Sequence, residues 1–321
     1  MSAPRDDRLE RLIARARHFD GHPPFSDGAL ADLATGRREV VWAEGDVGAA
    51  VRTVAGGSVA ERRPEALEGV LEAAVGVGPS RASGTASVTE AEFVIDPDAR
   101  RHGHGRALLH RLLVDAPGEV LFWAHGGHPA ARRLAASHGL EPVRELLHLR
   151  GEVPAAPAPP AESAYIAHPA RETWATLANS ASREGAVDAL LAVNARAFAE
   201  HPEQGRMTRA EFDALAAEPW FDPEDVLLAW DGDTLVGFCW LKVEGAEGEF
   251  YVVGVDPAAQ GQGWGRRLVA AGMARLASRG IRHAHLYVEA DNAPALRLYR
   301  EFGFHEDSVD IQYRWRADPG H

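Results

Sequence analysis

The chain has 321 residues, 45% of them hydrophobic and 25% charged, with a formal net charge of −13. That is enough apolar material for two ordinary cores, and the acidic balance argues against nucleic acid, whose binding calls for a basic face. No apolar run approaches the roughly 20 residues that span a bilayer, and a lone cysteine, Cys239, leaves neither an internal disulfide nor a cysteine-rich metal site. The expectation is a cytoplasmic, monomeric protein of two domains with no membrane contact, holding any anionic ligand by local geometry rather than by its overall field.

In chain order, Met1–Arg17 is charged and helix-patterned through Leu9, Leu12, Ile13 and Ala16, with no signal-peptide core. Phe93-Val94-Ile95 reads as a strand end, followed by the turn Asp96-Pro97 and by Arg101-His102-Gly103-His104-Gly105-Arg106, which opens a helix. The stretch Gly151–Glu162 is a Pro/Ala spacer without core-forming residues, which divides the chain into domains at 1–150 and 163–321. Beyond it, Val187–Ala199 has helical spacing and runs into His201-Pro202-Glu203-Gln204-Gly205, and a short helix is expected over Arg209–Ala217. Val226–Trp230 and Leu235–Val243 read as strands joined by the Asp231-Gly232-Asp233 turn, and Glu249–Val255 as a third.

That third strand ends in Val253-Gly254-Val255, an Asp-Pro turn, and Gln260-Gly261-Gln262-Gly263-Trp264-Gly265-Arg266, directly before a helix over Arg267–Arg279. Such a loop aims backbone N–H groups at one point and adds the positive end of a helix dipole; it is a cradle for a pyrophosphate. Strand Ala284–Glu289 follows, then helix Ala293–Phe302 capped by Asn292, the break Gly303-Phe304, and a last strand over Val309–Trp315. Gly103, Gly105 and Leu108 match Gly263, Gly265 and Leu268, so the cradle occurs twice and the chain reads as a duplicated domain. The expected fold class is α+β: two domains, each a mixed, mostly antiparallel sheet flanked by helices.

Strand, Gln260-x-x-Gly263-x-Gly265 and helix, then Tyr287-x-Glu289-x-x-Asn292 and Tyr299-x-x-x-Gly303-Phe304, resemble the GNAT superfamily of acyl-CoA-dependent N-acetyltransferases. The resemblance implies acetyl-CoA as co-substrate, a small-molecule amine as acceptor, and no metal. It makes Glu249 the general base, although an exposed strand carboxylate would look the same, and Tyr299 the acid that protonates the departing sulfur, although a core aromatic would look the same. It assigns the thioester oxygen to backbone N–H groups of Val253, Gly254 and Val255, and the pantetheine arm to Asn292, Ala293, Pro294, Ala295, Leu296 and Arg297. The His-Pro-Glu-Gln-Gly segment and the tandem arrangement resemble a branch that acetylates the cysteinyl amine of a cysteinyl-glucosaminyl-inositol. On that likeness Asp27, Glu203, Lys242, Glu249 and Tyr287 are acceptor contacts. Another amine, such as an aminoglycoside or a protein amino terminus, and a non-catalytic acyl-CoA-binding module remain alternatives.

Aligned without gaps, the first copy offers a second cofactor site at Phe93, Val94, Ile95, Arg101, His102, Gly103, His104, Gly105 and Arg106. It sets Thr89 opposite Glu249, with Glu90 and Glu92 as off-register neighbours, and working back from the matched Gly139 and Gly303 puts Ala135 opposite Tyr299 and His128 opposite Asn292. The first domain is therefore expected to bind acetyl-CoA or to act as scaffold, and not to catalyse. His102, His104, His110, His125 and His128 share no helix face, so no metal is expected there.

Overall fold

The computed structural model describes residues 6–54, 88–116, 118–155, 172–178, 180, 182–199 and 204–316. Glu203, with His201 and Pro202, and the spacer from residue 156 onward lie outside the described residues. Among those described, no helix is long and apolar enough to cross a membrane. The chain resolves into two compact units, Met1–Leu146 with Ser308–His321, and Leu147–Asp307.

The first unit begins with α1 (Asp7–Asp20), which the Asp6 side chain caps and a left-handed Gly21 ends, burying Leu9, Leu12 and Ala16 at helical spacing. There follow α2 (Asp27–Ala34), β1 (Arg38–Trp42), β2 (Gly48–Thr53), β3 (Val88–Ile95), α3 (His104–Val114), β4 (Glu119–Ala124), α4 (Pro129–Ser137) and β5, which starts at Glu141 and runs to Glu152. β1, β2 and β3 pair antiparallel, β3 and β4 parallel, and β4 pairs antiparallel with the chain's last strand, β11 (His305–Trp315). One face packs Leu108, Leu109, Leu112, Phe122 and Ile311 under α3; the other packs Ala49, Val51 and Val94 under α1 and α2.

The second unit holds β6 (Glu172–Thr176), α5 (Arg183–Ala197), α6 (Arg209–Leu215), β7 (Val226–Asp231), β8 (Thr234–Glu244), β9 (Glu247–Val255), α7 (Trp264–Ser278), β10 (His283–Glu289) and α8 (Ala293–Glu301). β6 to β9 form an antiparallel run, β10 joins β9 in parallel, and β5 from Leu147 lies beside β10. Local chemistry explains the boundaries: Thr208 and Glu211 form a reciprocal capping box on α6, and Gly232 takes the positive φ of the β7–β8 turn. α7 starts three residues before the expected Arg267, because Gly263 in the left-handed conformation is its N-cap. In both units the expected α+β build is found, a mixed sheet between helical layers.

The α1–α2 face of the first unit buries a chain of ionisable groups. Glu92, 1% exposed, accepts from the backbone N and Oγ of Ser26 at 2.6 and 2.7 Å and lies 3.1 Å from His125 Nε2, whose Nδ1 is 2.8 Å from Asp310. Arg38 donates to Glu90 at 2.7 Å. Its two carboxylate partners outweigh the burial that opposes its charge and hold the His125 imidazolium up to about 10, while burial lifts Glu90 to about 7. A folded pKa above the ordinary 6.5 means that the His125 contribution is full below that pH and is lost as pH rises towards 10. The Glu90 carboxylate also becomes less favourable in the folded state as pH rises through 7. Thermal melts should therefore show the midpoint falling between about pH 6 and pH 10. His125→Gln should cost most at the acid end and little at the alkaline end; a cost independent of pH would refute the imidazolium clamp.

Candidate active site

The glycine loop of the second unit has the geometry of an anion cradle. Asp256 accepts from the backbone N of Ala258 at 2.9 Å and starts a single turn, Pro257–Ala259, after which Gly261 and Gly263 take φ of 75° and 82°. A Cβ at Gly263 meets nothing within 4 Å, so glycine is there for its backbone freedom and not for space. The helix that follows has no side-chain cap. Helices α1, α4, α5, α6 and α8 all carry one, from Asp6, His128, Ser182, Thr208 and Asn292. The first N–H groups of α7 thus remain as donors at the positive end of the dipole, which suits the pyrophosphate of a nucleotide. Gln260, Gln262 and Arg266 are exposed around the loop, and Trp264 is buried beneath it. Arg266 is held by the Glu301 carboxylate and lies 5.9 Å from the Phe302 ring.

Upstream of the loop the sheet opens. The parallel pairing of β9 with β10 runs from Glu247 opposite His283 only as far as Glu249 opposite His285, although both strands continue. Asp256 N donates back to Val236 O on β8, so strand alternation turns the N–H groups of Val253 and Val255 towards the opening. Gln260 Nε2 reaches the Val255 carbonyl on that side at 3.4 Å. Main-chain donors at a gap in a sheet are the means by which a carbonyl oxygen gaining negative charge is stabilised.

The expected proton-transfer residues lie on opposite faces of this opening. Tyr299, 8% exposed, sits 5.8 Å from the Phe304 ring, which is 5.8 Å from Phe250 on the α7 face. Burial, with the Cys239 thiol beside it, pushes the Tyr299 phenol above its usual range, so it keeps its proton throughout neutral pH. Glu249 is half-buried on the other face, directly opposite Lys242 on β8 and His285 on β10. The Lys242 ammonium lies 5.3 Å from the Trp220 ring and pairs with Glu244 at 3.0 Å. Tyr287, two residues beyond His285, shares its face and stacks on His148 at 4.7 Å. Lys242, Glu249 and Tyr287 are thus brought to one face. Asn292 caps α8 by accepting from Ala295 N at 3.1 Å; Ala293, Pro294 and Arg297 are exposed, Ala295 is half-buried, and Leu296 turns into the core. Asp27 opens α2 in the first unit.

Sequence reasoning missed three features of this face. Tyr251 is an extra residue in β9: Trp240 pairs with Val252 and Leu241 with Phe250. Trp220 packs 5.5 Å from Tyr251 and 6.1 Å from Trp240, giving the face an aromatic floor. His285 and His148 are joined at 3.2 Å. The period-two alternation that picks out Tyr287 also picks out His285, whereas nothing local marks His148.

The first unit repeats the backbone and not the chemistry. Asp96 accepts from Asp98 N at 3.0 Å, Gly103 takes φ of 91° before an uncapped α3, and the β3–β4 pairing stops at Ala91 opposite Phe122. Arg101 carries a positive φ of 68° where the second unit has Gly261. Arg100 Nε donates to Ile95 O at 3.0 Å, as Gln260 does to Val255. Phe93, Ile95, His104 and Gly105 are half-buried, Arg101, His102, Gly103 and Arg106 exposed, and Val94 buried. The gap-free alignment of Thr89 with Glu249 needs correction, because β3 has no counterpart of the Tyr251 bulge. By strand register Glu90, opposite Leu121, takes the place that Glu249 holds opposite His285. Glu90 is 4% exposed and closed off by Arg38, while Ala135 is buried and His128 caps α4.

The profile of the Acetyltransferase (GNAT) family matches residues 191–304. A mycothiol acetyltransferase of Clavibacter michiganensis subsp. michiganensis is 53% identical over 227 residues, 70% of this chain and 72% of that protein. One from Kocuria rhizophila is 38% identical over 98% of this chain and 97% of its own length. Among solved structures, a GCN5-related N-acetyltransferase from Sphaerobacter thermophilus superposes with a TM-score of 0.64 at 22% identity, covering 98% of this chain and 93% of its own. A tandem GNAT protein of the clavulanic acid biosynthesis pathway gives 0.61 at 16% identity, covering 98% of this chain and 95% of its own.

Substituting Gly263 tests the cradle. Gly263→Ala should cost about 1 kcal/mol of stability for its left-handed backbone, and Gly263→Glu should abolish coenzyme A uptake in calorimetry while circular dichroism stays that of the parent. Unchanged uptake by the glutamate variant would place the pyrophosphate elsewhere.

Proposed function

The chain belongs to the mycothiol acetyltransferase family, N-acetyltransferases of the GNAT fold acting in mycothiol biosynthesis, and we propose that its second unit moves the acetyl group of acetyl-CoA onto the cysteinyl amine of cysteinyl-glucosaminyl-inositol. The observation that carries this is the opening between β9 and β10, with a carboxylate on one face, a protonated phenol on the other, and an uncapped helix terminus at its end.

In this reading the α7 terminus and residues 260–266 hold the pyrophosphate. Val253, Gly254 and Val255 line the thioester, and the N–H groups of Val253 and Val255 stabilise the charge that its oxygen gains. Residues 292–297 flank the pantetheine arm. An α-amino group titrates near pH 8, so a carboxylate is a sufficient base to keep the nucleophile neutral as it attacks. Glu249 takes the amine proton, directly or through water, and Tyr299 gives its own to the sulfur. Lys242 and Tyr287 contact the hydroxyl-rich acceptor, which needs donors and acceptors rather than an apolar pocket. The first unit scaffolds, with its cradle available to a second acetyl-CoA; the buried Glu90–Arg38 pair and Ala135 support its not catalysing. We place the enzyme in the cytoplasm, as a monomer needing no metal.

Glu249→Gln should lower kcat at neutral pH by about 10²–10⁴, the range of a general base. An unchanged rate would remove Glu249 from the chemistry. Tyr299→Phe should slow turnover and leave acetyl-CoA affinity nearly intact; lost affinity would mark the residue as structural. Assaying thiol release with a panel of amines tests the acceptor, since a better rate with an aminoglycoside or a peptide amino terminus would displace the sugar-inositol.

A further inference from the structure

The candidate base has a neighbour that the acetyl-transfer reading leaves unused. His285 stands directly opposite Glu249 across the parallel pair, and residues so paired project from the same face of a sheet. Its Nδ1 lies 3.2 Å from His148 Nε2, and His148 Nδ1 lies 3.1 Å from Asp307 Oδ2. His148 has a side-chain exposure of 13% and Asp307 of 35%, so the series runs from the reaction face outward.

We propose that His285, His148 and Asp307 form a relay that carries the amine proton away from Glu249. The inference rests on the acetyl-transfer reading and deepens it. Hydrogen bonding sets the tautomers. The Asp307 carboxylate can only accept, so His148 keeps its proton on Nδ1 and offers the Nε2 lone pair. His285 then donates from Nδ1 and keeps a lone pair on Nε2, the acceptor on the Glu249 side. When the amine nitrogen bonds to the thioester carbon and the carbon–sulfur bond breaks, the nitrogen loses a proton to Glu249 and the sulfur gains one from Tyr299. The proton on Glu249 passes to His285 Nε2 as Nδ1 releases its own to His148, which releases its own through Nδ1 to Asp307 and solvent. Tyr299 is reprotonated from solvent, so proton count and charge both balance.

The surroundings keep His285 ready to pass a proton on. It faces Glu249 on β9, Lys242 on β8, Tyr287 on its own strand, His148 and Arg150 on β5, and Asp307 on β11. Burial, helped by His148, Arg150 and Lys242, holds its imidazole down at about 4 against the opposing pull of Asp307, so the ring is neutral at physiological pH and keeps no proton for long. A second observation comes from the other copy. The place of His285 there is taken by Leu121, beside the closed-off Glu90. The unit without an accessible base is also the one without the histidine.

The test is steady-state kinetics of the full chain with acetyl-CoA and cysteinyl-glucosaminyl-inositol, with Glu249→Gln run alongside. His285→Gln keeps hydrogen bonding and loses titration. It should lower kcat by about tenfold or more, a part of what a general base supplies, with both KM values within about twofold of the parent. Added imidazole should restore part of the rate, which it would not do for a structural defect. Asp307→Asn, at the exposed end, threatens the fold least and should lower kcat several-fold; it decides the matter if His285→Gln is unstable. Full kcat in His285→Gln with Glu249→Gln inactive overturns the relay alone, as does a loss confined to KM or one that imidazole does not relieve. A parent inactive towards every amine overturns the acetyl-transfer reading, and the relay with it.

Discussion

Everything at the candidate site depends on two parallel strands parting before their ends. Hydrogen bonding between β9 and β10 stops at Glu249 and His285, six residues before β9 ends at Val255. Backbone donors without a partner are expensive when buried and are seldom left without a use. Here they face a gap whose far end is the uncapped start of α7. A ligand with an acyl oxygen at one end and a pyrophosphate at the other satisfies both groups at once. In the proposed function, backbone donors hold the cofactor and side chains choose the acceptor.

The parting also separates the two candidate proton-transfer residues. Because successive residues of a strand alternate, Glu249 and Phe250 lie on opposite faces, and Tyr299 belongs with Phe250 through Phe304. The two faces differ in their electrostatics. Tyr299 is sealed among apolar rings and Cys239, where burial favours the neutral phenol that an acid must be. Glu249 lies between Lys242 and His285 on a polar face that reaches solvent. The proposed base and acid therefore lie on opposite faces of one strand and do not compete for one proton.

The two copies share most of the backbone of this site and differ in its side chains. The cradle, the Asp-Pro turn and the early end of the parallel pair all persist in the first unit. What differs is one bulge and a handful of side chains. The glutamate of β3 keeps the same face, but there Arg38 pairs with it and Glu92, His125 and Asp310 fill the surrounding space. The Glu90 carboxylate is part of a buried ionic network. Backbone geometry is retained because it belongs to the fold; side-chain chemistry is lost because packing alone does not require it.

The duplication, the glycine loop and the α+β alternation were legible in the sequence, since each rests on local signals: glycine spacing, period-two strands, and an asparagine capping a helix. The roles expected of Glu249 and Tyr299 came from the family resemblance and not from local pattern. Of the face that carries Glu249, the sequence marked Lys242 and Tyr287. Three things needed the tertiary structure. The bulge at Tyr251 shifts register without altering composition, so a gap-free alignment set Thr89 where Glu90 belongs. The joining of His148 to His285 depends on β5 lying beside β10, a pairing of residues far apart in the chain. The grouping of β11 with the first unit, where Asp310 meets His125, is likewise a matter of which edge a strand finds. Local sequence determines what a segment can form, but hydrogen bonding between distant strands determines what it meets.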